Sequence, residues 1–340
     1  MDAVNGKMKG QLEEVRQETE GELVALRGQN VEMHDQTERL WAKYQAETLQ
    51  RKRLHNIIED MKGKIRVYCR VRPMNQNETR MGCIDAVTII DQFTLKIRVK
   101  REQQMFRQNQ IQSSNVSSQS QYQEKEFVYD ACFGAQTSQE EIFEDTKMLI
   151  QSGIDGFNVC IFAYGQTGSG KTYTVSGAPN NMGIVPRSFM EMFSIRQRLE
   201  KDDHFTVRFE CYMVELYLDK LNDLLTGGAR NVNQSSINNK DKLEIREDGK
   251  TGLVYIQNAK QKTLNSFQEA LDTFETGLKS RKVQSTEMND LSSRSHLIFG
   301  IVIETKNNNT GEVSRGKLSF VDLAGSERLN KANPRNNIER

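Results

Sequence analysis

The chain has 340 residues, 36% hydrophobic and 27% charged, with 47 Lys and Arg against 46 Asp and Glu. That length can bury at least one sizeable core, and the composition is too apolar for a chain disordered overall. A formal net charge of +1 gives no global steering toward a polyanion, so no nucleic-acid partner is expected and any acidic partner must be met by a local patch. No apolar run approaches the length of a membrane span, and residues 1–10 lack the apolar stretch of a secretory signal, which points to the cytoplasm. The cysteines at 69, 83, 132, 160 and 211 are odd in number and show no C-x-x-C spacing, so neither a disulfide framework nor a zinc site is indicated.

Residues 1–62 are rich in Glu, Gln, Lys and Arg, contain no Pro, and carry a heptad repeat that sharpens after residue 22. With Leu23 as a, the a positions continue through Asn30, Thr37, Tyr44, Arg51 and Ile58, and the d positions are Leu26, Met33, Leu40, Glu47, Leu54 and Met61. This pattern predicts a two-stranded coiled coil, with Asn30 fixing register and Glu47 and Arg51 loosening the seam. Gly63 ends the helical pattern and opens a globular domain over 63–340, whose first strand, 64–72, alternates in period two until Pro73 stops it. Strands follow at 87–90 and 95–99, then a Gln/Ser/Asn-rich run at 103–123 that reads as a solvated insertion. Thr137 with Glu140 predicts a capped helix to about residue 150. An apolar strand from Val159 follows, then a helix opening at Pro186, a long strand at 205–218, a short helical turn at 220–225 and a polar loop at 227–241. Ser266 with Glu269 caps another helix to about residue 280, and 297–305 and 317–321 are the last clear strands. Strands alternating with helices predict an α/β sandwich, three layers deep, around a mostly parallel central sheet.

Three stretches carry chemistry. The strand from Val159 runs into Gly165, Gln166, Thr167, Gly168, Ser169, Gly170, Lys171 and Thr172, which completes G-x-x-x-x-G-K-[ST], the loop that cradles a nucleotide triphosphate. Its glycines permit positive φ and close backbone approach, so that successive N–H groups face the phosphates. Lys171 would reach the β- and γ-phosphates, and Thr172 would offer its hydroxyl to Mg²⁺. A second apolar strand ends in Asp322, the type of carboxylate that holds Mg²⁺ through water in phosphate-loop enzymes. Gly325 then completes D-x-x-G, a spacing that lets a backbone N–H meet a γ-phosphate and swing away once it is gone. The third stretch, Ser292, Ser293, Arg294, Ser295 and His296, places hydroxyls, a guanidinium and an imidazole just before a strand.

Together, residues 164–174, residues 289–296 with their Ser-Ser-Arg-Ser-His core, and residues 321–328 (Val-Asp-Leu-Ala-Gly-Ser-Glu-Arg) resemble the phosphate loop, switch I and switch II of a kinesin motor domain. Arg70, Val71, Arg72 and Pro73 resemble that family's adenine-side motif, and the likeness runs from about residue 64 to 330. The junction from Leu54 to Val67 is similar to that of kinesin-14 motors, which walk toward microtubule minus ends; the wording of residues 58–64 is nearest the calmodulin-binding branch, with Lys64 where many members have Asn. The resemblance implies a phosphate-loop NTPase that binds ATP and Mg²⁺, works on microtubules in the cytoplasmic cytoskeleton, and dimerises through residues 1–62. Calmodulin would be a partner of a full-length form only.

Residue by residue, the resemblance implies that Arg70, Arg72, Pro73 and Tyr173 line adenine and ribose, and that Thr172 and Ser293 ligate Mg²⁺ with Asp322 behind a water. It further implies that Arg294 and Glu327 pair to close the switches, and that Glu327 with Ser292 positions the attacking water. His296 is expected to be structural. A GTPase would carry N-K-x-D, whereas the nearest string here, Asn239, Lys240 and Asp241, sets its Asp one residue early. Enzymes of the ABC or AAA type place a Glu directly after the strand Asp, where this chain has Leu323. The remaining alternative is a non-motile dimeric microtubule-binding scaffold or inactive motor fragment, because residues 332–340 depart from the family after switch II. On that ground the 340-residue chain is expected to bind nucleotide weakly at best and to show little microtubule-stimulated turnover.

Overall fold

A computed structural model describes residues 2–62, 65–100, 122–201, 203–226, 242–249, 252–287 and 293–327. The chain divides into two compact units, residues 1–66 and 67–340. The first is one uninterrupted helix, α1 (Asp2–Lys62). Taken as a single chain, α1 leaves its heptad residues in solvent: Leu23, Leu26, Met33, Leu40, Leu54 and Ile58 are all at least half exposed. Trp41 stacks on Tyr44. Among its described side chains this helix of 61 residues buries no face, and tertiary packing of such a face is what normally supplies helical stability.

The second unit runs β1 (Tyr68–Arg70), α2 (Gln76–Arg80), β2 (Val87–Ile89), β3 (Thr94–Lys100), β4 (Tyr122–Val128), β5 (Ala131–Phe133), α3 (Gln139–Ile154) and β6 (Asn158–Ala163). It continues through α4 (Lys171–Val175), β7 (Gly177–Ala178), β8 (Asn181–Met182), α5 (Ile184–Glu200), β9 (Phe205–Tyr217), β10 (Lys220–Asp223), β11 (Glu244–Glu247) and β12 (Val254–Gln257). The last elements are β13 (Lys262–Thr263), α6 (Phe267–Glu287), β14 (His296–Asn307) and β15 (Val313–Asp322).

The central sheet has the order β10-β9-β14-β15-β6, with β13 beside β9. It corrects the mostly parallel expectation: β15 with β6 is the one parallel pairing in this sheet among the described residues, and the others are antiparallel. The reason lies in the connections. The links from β9 to β10 and from β14 to β15 are too short for the crossover that a parallel pair requires, so both fold back as hairpins. Leu218 and Asp219, both at positive φ, form the tight turn between β9 and β10, which is a strand where a helical turn was expected. Helix α3 also starts one residue later than its predicted cap. Ser138 Oγ accepts from Glu141 N–H while the Glu141 carboxylate accepts from Ser138 N–H, so the reciprocal box uses the next Ser/Glu pair along the chain. Of the insertion expected at 103–123, residues 103–121 lie outside the described residues, as does the polar loop 227–241, while Tyr122 and Gln123 belong instead to β4, where they pair with β3.

Alternation along β9 sorts its side chains between two faces. Val207, Phe209, Cys211 and Met213 join the main core with residues of α3, α5, α6, β14 and β15. Tyr212 and Val214 belong to a smaller cluster on the other face with Ile256 of β12. The described helical layer therefore covers one face of the sheet, and the second helical layer of the expected sandwich is not among the described residues. Phe299, 1% exposed, sits edge-on to Phe189 of α5 and Phe274 of α6, with centroids 5.7 and 5.2 Å away. These contacts fix both helices to the strand that leaves switch I. Truncating Phe299 to Ala should destabilise the second unit by about 3–5 kcal/mol, read as a lower urea midpoint of its unfolding transition.

Candidate nucleotide site

The phosphate-loop strand β6 and the switch II strand β15 are paired in parallel, with Asp322 opposite Ala163, so both loops leave the sheet at the same end. Strand β14 starts at the same edge, with Leu297 opposite Asp322. All three sequence motifs are thus brought together by strand register alone.

Gly165, Gly168 and Gly170 have φ of 155°, 79° and 98°, as a loop that curls its N–H groups inward requires. Lys171 folds back over this loop, its Nζ donating to Gly165 O at 2.9 Å and Gln166 O at 3.0 Å. Ser169 N–H donates to the same Gln166 carbonyl at 3.1 Å. Switch II is strapped to the loop: Leu323 N–H donates to Ala163 O, and Ser326 N–H to Gly165 O. Glu327 completes the strap by accepting from Thr167 N–H at 2.9 Å and from the Thr167 hydroxyl. Those two hydrogen bonds, hydroxyl first, hold the Glu327 carboxyl below its usual range, and the nearby Lys171 charge adds a smaller push. Gly325 lies close under this strap: a Cβ there would stand 2.3 Å from a Glu327 carboxylate oxygen and 2.4 Å from Thr167 Oγ1, so a larger residue would displace the Glu327 carboxylate from Thr167. Its N–H donates to Ser293 O at 2.7 Å, and Ala324 N–H donates to His296 Nδ1 at 3.1 Å. His296 thereby anchors switch II to β14.

The cation side of the site is built from Thr172 and Asp322, whose Oγ1 and Oδ2 are 2.6 Å apart in a hydrogen bond. Asp322 is buried, and its Oδ1 has no hydrogen-bond partner. A buried, unsatisfied carboxylate oxygen is costly unless a cation or its water meets it, and this pair fits Mg²⁺. Among the described residues no cluster of three His, Cys, Asp or Glu exists. A cation at Thr172 and Asp322 would therefore rely on hydroxyl, water and phosphate oxygens, the ligand set a hard ion such as Mg²⁺ accepts. Ser293 and the half-buried Arg294 lie on the same switch I loop, and Ser292 lies outside the described residues.

On the base side, the Arg70 guanidinium lies 5.1 Å over the Tyr173 ring. Burial pulls the Arg70 pKa down and Tyr173 opposes it. Arg70 Nη1 donates to Thr174 Oγ1 at 2.8 Å and Gln139 Oε1 at 2.9 Å, while Gln139 Nε2 donates to Tyr173 O at 2.7 Å. Arg72, beside Pro73, pairs with Glu78 at 2.6 Å, and its Cδ is 4.0 Å from where a Gly170 Cβ would be.

Two sets of groups at the site, Gln139 and Arg281 with Glu215, belong to none of the three sequence motifs. Gln139 is 2% exposed and braces the Arg70 and Tyr173 platform from the first residue of α3. Arg281 of α6 is buried with Glu215 and Ser295 and reaches Asp322 at 3.4 Å. One signal was available: Glu215 interrupts the apolar run of β9, and Arg281 continues the α6 stripe of Leu271, Phe274 and Leu278 at helical spacing. Polar residues in such positions require each other or another partner.

A family model described as the kinesin motor domain matches residues 70–339. The chain is 44% identical over 290 residues to "Kinesin-like protein KIN-14E" of Arabidopsis thaliana, which covers 85% of this chain and 20% of that protein. It is likewise 44% identical over 290 residues to "Kinesin-like protein KIN-14I" of Oryza sativa subsp. japonica, covering 85% of this chain and 21% of that one. Among solved structures, the C-terminal motor and motor homology domain of Kar3Vik1 fused to a synthetic heterodimeric coiled coil matches with a TM-score of 0.69 at 29% identity, over 93% of this chain and 75% of that one. The chain therefore spans about a fifth of the length of the two plant relatives.

Lys171→Ala removes the loop's cation. Because a charge-assisted hydrogen bond contributes about 1.5–3 kcal/mol, the Kd for a fluorescent ADP analogue should rise by about 10- to 100-fold. Unchanged affinity in a fluorescence titration would detach the loop from nucleotide.

Proposed function

The chain belongs to the kinesin motor-domain family, and from that premise we propose that it is the ATP-hydrolysing, microtubule-binding part of a minus-end-directed motor of the kinesin-14 type. The observation that carries this reading is the buried Asp322, hydrogen-bonded to Thr172 at the end of the phosphate loop with one carboxylate oxygen unsatisfied. An intact cation site of this kind favours a working nucleotide cycle over a scaffold that has lost one.

Thr172 and Ser293 would hold Mg²⁺, with Asp322 behind a water, and the bound ion would supply neutralisation of phosphate charge. The loop N–H groups and Lys171 bind the phosphates, while Arg70, Arg72, Pro73 and Tyr173 form the base side. Glu327, which here spends its carboxylate on Thr167, exchanges that partner for Arg294 when the switches close. The closed pair, with Ser292, orients the attacking water and accepts its proton. Phosphoryl transfer asks mainly for such positioning and charge neutralisation, and a bidentate guanidinium-carboxylate pair supplies both.

The partner is the microtubule, and the setting is the cytoskeleton of the cytoplasm. Among the described residues no helix is long and apolar enough to cross a membrane. Residues 1–62 form the coiled-coil stalk and neck of a homodimer, residues 63–340 carry the motor, and calmodulin is a partner of a longer form of the protein.

The reading is tested by ATP turnover of the full-length gene product with and without microtubules, where stimulation is expected. In that protein Glu327→Ala should still bind ATP but turn over about 100-fold more slowly or worse, the usual cost of losing a positioned acid-base group. Full turnover in that variant would remove Glu327 from the reaction. For the stalk, Leu26, Leu40 and Leu54 replaced together by Ala delete three seam knobs. Sedimentation should then report monomers where the parent chain sediments as a dimer.

A further inference from the structure

All five cysteines are free thiols, and among the described residues Cys69 and Cys132 are the one pair of cysteines set directly opposite each other. They are register partners in the parallel ribbon of β1 and β5, flanked by Tyr68 opposite Ala131 and Arg70 opposite Phe133. Tyr68, Ala131 and Phe133 pack on the main core, so strand alternation turns both cysteines to the other side of the ribbon together. Hydrogen bonds on either side of the pair hold this register: Asp130 N–H donates to Val67 O at 3.1 Å, and Val71 N–H to Phe133 O at 2.8 Å. Val67 N–H also donates to Asp130 Oδ2 at 2.7 Å, and Cys132 N–H to Gln92 O at 2.7 Å. Neighbouring strands lie about 4.8 Å apart, within the range of about 4.4–6.8 Å between Cα atoms that a disulfide spans. Two thiols on one face at that separation can be joined without moving the strands.

From this placement we propose that Cys69 and Cys132 are a redox-modification site, which a small-molecule disulfide such as oxidised glutathione converts to an intramolecular disulfide. Cys69 is the attacking thiol, because it is partly exposed while Cys132 is buried. Its thiolate, having lost a proton to water, attacks one sulfur of the small disulfide; a mixed disulfide forms on Cys69 and one small thiolate leaves. The Cys132 thiolate then attacks Cys69 Sγ and expels the second. Two protein thiols are thus oxidised by two electrons, and one small disulfide is reduced to two thiols. Burial pushes both protein thiols up, and the neighbouring Cys132 adds to the rise at Cys69. A high thiol pKa slows the first attack, but it also makes each sulfur a poor leaving group, so the finished disulfide is slow to reopen. In a reducing cytoplasm the dithiol is the resting form and the disulfide a response to oxidation. The tie joins the strand that ends in Arg70 to the strand that leads toward the helix of Gln139, two residues that already hydrogen-bond each other.

To test this, the 340-residue chain is reduced, freed of reductant and exposed to mixtures of oxidised and reduced glutathione of rising ratio. Free thiols are then blocked at low pH and the peptides weighed by mass spectrometry. The expected product is a peptide pair joined through Cys69 and Cys132, lighter by two hydrogens than its reduced parts and reopened by dithiothreitol. Cys132→Ser should stop the reaction at glutathione on Cys69. Cys69→Ser should leave Cys132 a free thiol while the exposed Cys83 still takes up glutathione. In urea, where the register is gone, the linked fraction at a fixed ratio should fall about tenfold or more, as loss of proximity dictates. A parent chain that keeps glutathione on Cys69 without forming the link would overturn the proposal, as would a preferred link from Cys69 to Cys83 or Cys160. An equal linked fraction in urea would overturn it too, since the fold would then not be its cause. Should either variant fail to fold, the parent's link measured against its urea control decides.

Discussion

The parallel pairing of β6 with β15 is the constraint from which the site follows. Parallel neighbours end at the same edge of a sheet, so once Asp322 stands opposite Ala163, the phosphate loop and switch II must emerge side by side. The antiparallel neighbour β14 enters at that edge, with Leu297 opposite Asp322, and this brings switch I to the same place. Register also explains why Asp322 is buried: it is still a strand residue when its carboxylate meets the exposed Thr172. A shift of one residue in β15 would turn Asp322 to the other face and dismantle the site without altering any motif.

Electrostatics in the site are arranged so that internal partners occupy the phosphate-binding groups. Lys171 is bonded to two loop carbonyls, and Glu327 occupies the amide and hydroxyl of Thr167. Each such bond is worth about 0.5–3 kcal/mol net, small beside the attraction of a polyphosphate for a loop that offers several N–H groups and an ammonium. A nucleotide therefore competes with weak internal contacts. Glu327 is the sensitive member, because its carboxylate is exposed and its two bonds to Thr167 are open to competition from water.

Much of this was legible in the sequence, and the gaps have physical causes. Local chemistry was readable: the glycines of the loop, the strand ending in Asp322, the heptads of α1 and the Ser/Glu cap of α6 all depend on residues near one another in sequence. The sheet was harder. Strand-helix alternation suggested parallel neighbours, but the direction of β14 against β9 is set by pairing over twelve residues, which no local pattern encodes. The turn at Leu218 and Asp219 lacked the glycine that usually marks a two-residue hairpin, so the pairing of 220–223 with β9 was hidden and that stretch read as a helical turn. Arg281 escaped because it belongs to no motif; its role exists only once α6 is laid across β9 and β15.

Glu215, Arg281 and Asp322 also bear on why the switches respond together. A buried ion pair contributes little to net stability, since desolvation offsets its attraction, but breaking it by removing one partner is costly. Such a cluster is therefore poorly explained as a device for holding the fold, whose helices are already fixed by Phe189, Phe274 and Phe299. What it does supply is stiffness between three polar points: a strand glutamate that cannot move, the switch I backbone at Ser295, and the carboxylate at the head of switch II. With those points tied, both switch segments leave from one braced cluster, and the Gly325 to Ser293 hydrogen bond joins them again beyond it.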